Sequence, residues 1–299
     1  MKLSILINPR TSKTYPMTMV LLVAYYSSAS WYGIKVASAS ATKKGPKPFL
    51  DDAQALEAIK EEIANSRFHS EGYIKLTKRM KKKGKIVAKN RVNTLLRNNQ
   101  LLSAQRPVKQ GARRKHDGTI ITQKPNVLWG TDGKQFFTAQ EGMCWLFSVI
   151  DHYNDEILGY HICKVGNRFA AMEPIKQAIK KEFGSINENI CKGTNLAIRS
   201  DHGTQYDSAD FVNEMKFIGL TESKSFVRSP ECNGMIERWH RTLNEQIIEV
   251  NAFESLGQAI PIISQFIEDY NEEWILHRFD CQSPIEIKNK YYKQLNKCA

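Results

Sequence analysis

The sequence predicts an α/β protein: a mixed sheet flanked by helices, preceded by a small, basic, all-helical domain. Three observations lead there. Residues 1–120 carry 24 Lys and Arg against 7 Asp and Glu, whereas the remainder carries 19 against 24, so base and acid are segregated along the chain. Apolar residues recur at helical spacing up to about residue 98, then change at Val127 to short strand-like runs. From there the order is three strands, helix, strand, helix, strand, helix, an antiparallel meander feeding a crossover.

A length of 299 residues allows one large or two to three small domains. Residues 1–50 read as an N-terminal arm and linker. Within it, 17–26 (Met-Thr-Met-Val-Leu-Leu-Val-Ala-Tyr-Tyr) is far too short to cross a bilayer. Lys2, Arg10 and Lys13 before it and Ala37-Ser38-Ala39 after it mimic a signal peptide. It stands behind a long polar leader, so a buried helix or an ill-defined chain start is expected, and no membrane partner. Lys-Lys-Gly-Pro-Lys-Pro-Phe-Leu (43–50) breaks structure with Gly and two Pro.

Residues 51–102 predict three helices. Asp51 or Asp52 caps the first, with Leu56, Ile59 and Ile63 inward. Tyr73, Leu76 and Met80 share a face of the second, which Gly84 ends. The third, about 89–98, turns Val92, Leu95 and Leu96 inward and Lys89, Asn90, Arg91, Asn93 and Arg97 outward. The arrangement has helix-turn-helix character, and those outer residues could reach phosphates or base edges; a plain three-helix bundle is the alternative. From Lys75 to Lys115 there are 15 basic residues and no acid, the footprint of a polyanion or a solvated face. Residues 103–126 read as a basic linker, with Arg113, Arg114 and Lys115 placed to follow a nucleic-acid backbone.

Strands follow at 127–138, 144–151 and 156–163, with turns at Gly142 and Asp155-Glu156. A helix over 168–183 carries Phe169, Met172, Ile175, Ile179 and Phe183 at helical spacing, with Pro174 as a possible kink. A short buried strand (196–199) ends at Asp201; helix 208–217, strand 220–224, and helices 235–250 and 257–272 complete the core. A loop through Ser229, Pro230, Asn233 and Gly234, a candidate lid over 226–234, leads into helix 235–250. Residues 127–290 are assigned to this core and 291–299 to a tail. Six scattered cysteines without Cys-x-x-Cys exclude a zinc finger and a disulfide framework, and fit a reducing cytoplasm.

Three carboxylates stand in short, distinctive contexts. Asp132 ends Trp-Gly-Thr-Asp (129–132) inside an apolar strand, where an acid is costly unless paired or metal-bound. Asp201 lies in Arg-Ser-Asp-His-Gly-Thr-Gln-Tyr (199–206), just past a buried strand, where α/β ligand sites collect. Glu237 lies in Asn-Gly-Met-Ile-Glu-Arg-Trp-His-Arg-Thr-Leu (233–243), near a helix start. The spacing 237, 241, 244, 248 places Glu237, Arg241, Asn244 and Ile248 on one face. Such acids can converge on divalent metals that clamp the attacking and leaving oxygens of a phosphoryl displacement. His202 reads as a general base or, better, as hydrogen-bonding support. Trp129 and Trp239 read as core rather than as base-stacking platforms.

These segments resemble the catalytic core of the retroviral-integrase superfamily, and specifically of bacterial insertion-sequence transposases. Ser-Asp-His-Gly-Thr-Gln-Tyr resembles the family's second-acid motif and Asn-Gly-Met-Ile-Glu-Arg-Trp-His-Arg-Thr-Leu its third. Tyr270-Asn271 with His277, then Ser283-Pro284-Ile285-Glu286, resembles the closing signature. The likeness spans roughly 52–290. Glu231-Cys232-Asn233-Gly234 departs from the Asp-Asn-Ala type sequence of many close relatives.

The resemblance implies a ribonuclease H-like fold and an Asp-Asp-Glu polynucleotidyl transferase using two Mg²⁺, or Mn²⁺ in their place. Asp132 would bridge both ions, with Asp201 and Glu237 each holding one. Lys89, Arg91, Arg97, Arg113, Arg114, Lys115, Arg238 and Arg241 would contact DNA, and His202 and Asn233 would support the acids through hydrogen bonds. Implied partners are double-stranded DNA (element ends and target), further copies of the chain on that DNA, and an upstream-frame DNA-binding protein. The implied location is the bacterial nucleoid. The alternatives are an inert, truncated transposase acting as a DNA-binding regulator and a nuclease of the same fold.

Overall fold

A computed structural model describes residues 7–28, 30–31, 49–103, 121–201, 203–222 and 234–298. The chain divides into two units, Met1–Phe49 and Leu50–Ala299. In the first, Ile7 and Thr14 form an isolated antiparallel bridge ahead of helix α1 (Met17–Val23). Only Leu21 of α1 is buried, while Leu22, Val23 and Tyr25 are exposed, so of the two alternatives for this run the buried helix is not what forms. Among the described residues no helix is long and apolar enough to cross a membrane.

The second unit begins with α2 (Asp52–Asn65), α3 (Tyr73–Lys82) and α4 (Lys89–Asn98). Asp51 closes α2 with a capping box: its carboxylate accepts from Gln54 N at 2.7 Å, and Gln54 Oε1 accepts from Asp51 N at 3.1 Å. Ala55, Ile59, Leu76, Met80, Val92 and Leu96 form a small core among the three helices. The second and third helices turn inward the residues the spacing predicts, but in α2 Ala55 and Ala58 join Ile59 in the core, while Leu56 is half-buried and Ile63 exposed.

The sheet consists of β1 (Leu128–Thr138), β2 (Gly142–Asp151), β3 (Ile157–Cys163), β4 (Ala197–Arg199) and β5 (Thr221–Glu222). Its spatial order is β3-β2-β1-β4-β5. β1, β2 and β3 pair antiparallel, and β4 and β5 add in parallel on the other side of β1. Two turn residues take left-handed backbone, Gly142 at φ 73° and Asp155 at φ 60°, which reverses the chain tightly at both hairpins.

Period-two alternation divides the core. Trp129, Phe147 and Val149 face α5 (Arg168–Phe183) and α6 (Ala209–Ile218). Phe136, Leu146 and Ile150 face α7 (Gly234–Leu243) and α8 (Leu256–Glu273). Helix α5 runs through Pro174, and a Cβ on Gly159 would lie 2.1 Å from the Pro174 carbonyl oxygen, so strand and helix touch backbone to backbone. Helix α9 (Pro284–Cys298) continues through the residues set apart above as a tail. Lys288 on α9 binds Glu156 at 2.9 Å and Glu182 at 2.5 Å, fastening the helix to the β2–β3 turn and to α5.

Beyond α7 the chain winds one π turn, Asn244–Ile248, with Glu249 N donating to Asn244 O five residues back. The wider turn begins at Asn244, so it shifts Ile248 from the face that straight helical spacing assigns it with Glu237 and Arg241.

Candidate active site

The pairing of β1 with β4 fixes the level of the first two acids. Gly130 lies opposite Arg199 on these neighbouring parallel strands, and Asp132 and Asp201 each follow two residues later. Tyr206 lies in the same place. Its side chain is buried, its hydroxyl lies by that of Thr131, and it feels the negative charge of both Asp132 and Asp201. Burial first, and those carboxylates next, push the Tyr206 hydroxyl far above the usual phenol range. Neither Tyr206 Oη nor Thr131 Oγ1 has a partner of full hydrogen-bond geometry among the described residues.

Each aspartate accepts from a backbone amide close to it in sequence. Asp132 Oδ1 accepts from Gly133 N at 2.7 Å, and Asp201 Oδ1 accepts from Gly203 N at 3.0 Å. The glycines belong to close packing. A Cβ on Gly203 would lie 2.9 Å from Asp201 Oδ1, and one on Gly133 would lie 2.6 Å from the Phe147 ring, which stacks on Trp145 at 5.5 Å.

Helix α7 brings in the third acid. Ile236, Trp239, His240 and Leu243 form its buried stripe, leaving Glu237, Arg238 and Arg241 exposed. Trp239 Nε1 donates to Ser148 Oγ at 3.2 Å, and Ser148 is the residue paired with Asp132 across β1 and β2. His240 Nδ1 lies 3.5 Å from Asp132 Oδ2. The helix bearing Glu237 is therefore pinned over the strand bearing Asp132. Trp129 and Trp239 are core residues, as expected.

The donors are carboxylate oxygens, which suit a hard divalent cation that keeps waters and phosphate oxygens as further ligands. Among the described residues no three acid, histidine or cysteine side chains converge closely enough to form a ready-made cage. A cleft of about 600 Å³ beside Leu128, Arg199 and Tyr291 is lined by none of the three acids.

The basic residues fall into two groups. Lys89, Arg97, Arg238 and Arg241 are exposed. Arg91 is committed within the chain: Nε donates to Asp52 Oδ1 at 2.7 Å and Nη1 to Leu50 O at 2.7 Å. Much of the block after Lys75 is likewise paired, Arg79 with Glu71, Lys82 with Glu286, Lys83 with Glu62 and Lys85 with Glu61. His202, Asn233, Arg113, Arg114 and Lys115, with nearly all of the candidate lid, lie outside the described residues. His240 and Tyr206 were missed as site residues. His240 could have been found one helical turn after Glu237, and Tyr206 as the last residue of the second-acid motif.

A five-stranded mixed sheet of this order, with helices on both faces and two aspartates near the β1–β4 junction, defines a ribonuclease H-like fold. The family model for the TnsB C-terminal domain matches residues 137–251. A protein of insertion element IS136 from Agrobacterium fabrum is 28% identical over 176 residues, covering 58% of this chain and 86% of its own. InsK of insertion sequence element IS150 from Escherichia coli K12 is 24% identical over 235 residues, covering 74% and 78%. The transposase InsD of IS2D from the same organism is 24% identical over 188 residues, covering 62% and 61%. Among solved structures, the simian T-cell lymphotropic virus intasome in complex with PP2A regulatory subunit B56 gamma matches with a TM-score of 0.47 at 14% identity, covering 77% of this chain and 74% of that one. The HTLV-2 integrase catalytic core domain in complex with magnesium matches at 0.41 and 16%, covering 56% and 98%. Over these spans the chain is similar to proteins of bacterial insertion sequences, transposases among them.

Proposed function

We propose that this chain is a DNA transposase that nicks the 3′ ends of a mobile element and joins them to target DNA. The observation that carries the reading is that Asp132 and Asp201 each stand two residues beyond the Gly130–Arg199 pair of β1 and β4, with the Glu237 helix pinned above Asp132.

In this reading Asp132, Asp201 and Glu237 hold two Mg²⁺ ions, or Mn²⁺ in their place. When bound, the ions polarise the scissile phosphate and offset the charge on the attacking and leaving oxygens. The Gly133 and Gly203 amides hold one oxygen of each aspartate and so limit rotation of the carboxylates. Arg238 and Arg241, exposed beside Glu237, hold DNA phosphates and so set which bond faces the acids. Lys89 and Arg97 take the duplex backbone on the helical domain, and Arg113, Arg114 and Lys115 extend that track. In the first step a water oxygen bonds to phosphorus and the element's 3′-hydroxyl leaves. In the second, that hydroxyl attacks a target phosphodiester and the target's 3′-oxygen leaves. Joining two ends requires two or more copies of the chain on DNA, in the bacterial nucleoid, with an upstream-frame protein as a further partner in end recognition.

The test is strand transfer by purified protein with short duplexes of the flanking element ends, a plasmid target and Mn²⁺. Joined products that vanish in Glu237→Gln are expected. Cutting without joining would indicate a nuclease, and binding with neither would indicate an inert regulator.

A further inference from the structure

His240 is nearly enclosed, with its side chain 9% exposed, on the helix that presents Glu237 one turn earlier. Its Nδ1 lies 3.5 Å from Asp132 Oδ2, and its Nε2 is buried with no hydrogen-bond partner among the described residues. Asp132 is thus approached from two directions. Its own strand reaches Oδ1 through Gly133 N, and α7 reaches Oδ2 through the imidazole. Trp239, the preceding residue, donates to Ser148 opposite Asp132 and ties the helix to the sheet at this level. An aspartate carboxylate turns in a broad, roughly two-fold torsional well, so one hydrogen bond from its own neighbour leaves its second oxygen poorly aimed.

We propose that His240 is a positioning residue: its Nδ1 fixes the aim of the second Asp132 oxygen and so holds that carboxylate in register with Glu237 on the same helix. The inference rests on the metal-dependent transposase reading and deepens it. Groups that orient a metal-holding carboxylate commonly contribute 10–100-fold in metal affinity. A histidine that merely filled space would contribute none of this specificity.

The geometry supplies a discriminating set of variants. An asparagine at 240 can present its side-chain nitrogen where Nδ1 lies, whereas a glutamine presents it near Nε2, away from Asp132. The measurement is Mn²⁺ binding by the full chain, read from the electron paramagnetic resonance of free Mn²⁺, with thermal unfolding alongside. Wild type is expected to bind, Asp132→Asn to lose binding, His240→Ala to weaken it about 10–100-fold, His240→Asn to recover most of it, and His240→Gln to remain weak. Equal affinity of wild type and His240→Ala would overturn the proposal, as would equal recovery by Asn and Gln. Should His240→Ala fail to fold, the Asn and Gln pair alone decides. If Asp132→Asn binds Mn²⁺ as wild type does, the metal reading of the acids itself fails, and the role of His240 fails with it.

Discussion

The side-chain amide of Gln246 and the backbone of His69 exchange two hydrogen bonds. His69 N donates to Gln246 Oε1 at 2.7 Å, and Gln246 Nε2 donates to His69 O at 2.9 Å. Gln246 belongs to the π turn that continues the Glu237 helix, and His69 to the segment between α2 and α3. Around this pair, Phe68 packs edge-on against Phe266 and Trp274, Arg67 binds Asp269, and Lys75 lies 3.0 Å over the Trp274 ring. The basic helical domain is thus docked on the core through the helices that follow the third acid.

Gln246→Leu removes both bonds and leaves two backbone groups of His69 unpaired. His69 is exposed, so water takes up its backbone groups, and the expected loss is about 1–2 kcal/mol, the net worth of two ordinary hydrogen bonds. It is read as a fall of several degrees in Tm and faster protease cleavage near 66–71. An unchanged Tm and cleavage pattern would show that the docking does not depend on this pair.

The basic residues should separate by experiment into those that bind DNA and those that brace the fold. Lys89→Ala and Arg97→Ala should each reduce the slope of log affinity against log salt by about 1 and leave Tm nearly unchanged. Arg91→Ala should do the reverse. It breaks the bonds to Asp52 and Leu50, so stability falls while the salt slope holds. A slope change on Arg91→Ala equal to that of Lys89→Ala would contradict this division.

Asp151 and His152 sit side by side and titrate in opposition. Burial raises Asp151 to about 6, so its contribution to stability is full below the ordinary 3.8 and is lost as pH rises through 6. Burial, with Arg199 and Arg278 nearby, lowers His152 to about 4, so its contribution is full above the ordinary 6.5 and is lost as pH falls through 4. Each amounts to something on the order of 3 kcal/mol, and between pH 4 and 6 they nearly cancel. Urea unfolding should therefore show that Asp151→Asn, relative to wild type, gains stability with rising pH over this range, and that His152→Asn loses it. Parallel curves for all three proteins would disprove the opposition.

Lys288 is the shared cation of two nearly buried carboxylates. Its side chain is 16% exposed, and those of Glu156 and Glu182 are 2% and 6%. Breaking such a cluster by removing one partner typically costs about 3–5 kcal/mol, because a charge is left buried and uncompensated. Lys181, which also binds Glu156 at 2.8 Å, offsets part of this. Lys288→Met should therefore fall near the lower end in chemical denaturation, and Glu182→Gln added to it should recover some of the loss. A loss under about 1 kcal/mol, the usual scale of an exposed ion pair, would mean that solvent screens the cluster.

The sequence by itself determined most of the elements, though not α9, and singled out three acids as candidates. Apolar spacing gave α5 its limits at 168 and 183, short apolar runs between turn residues gave β1 to β3, and the short contexts around Asp132, Asp201 and Glu237 singled out the acids before any fold was known. Such signals are local: a few neighbouring residues fix the period, the cap and the motif. The tertiary structure decided what the basic block and the helix after Glu237 are for. Lys82 meets Glu286 and Arg67 meets Asp269 across some two hundred residues of chain, and no local pattern states which distant acid a lysine or arginine will meet. The π turn at Asn244–Ile248 likewise departs from the spacing that a straight helix gives. The contact of His240 with Asp132 depends on α7 lying over β1, which is set by packing of the whole sheet face rather than by the spacing of either motif.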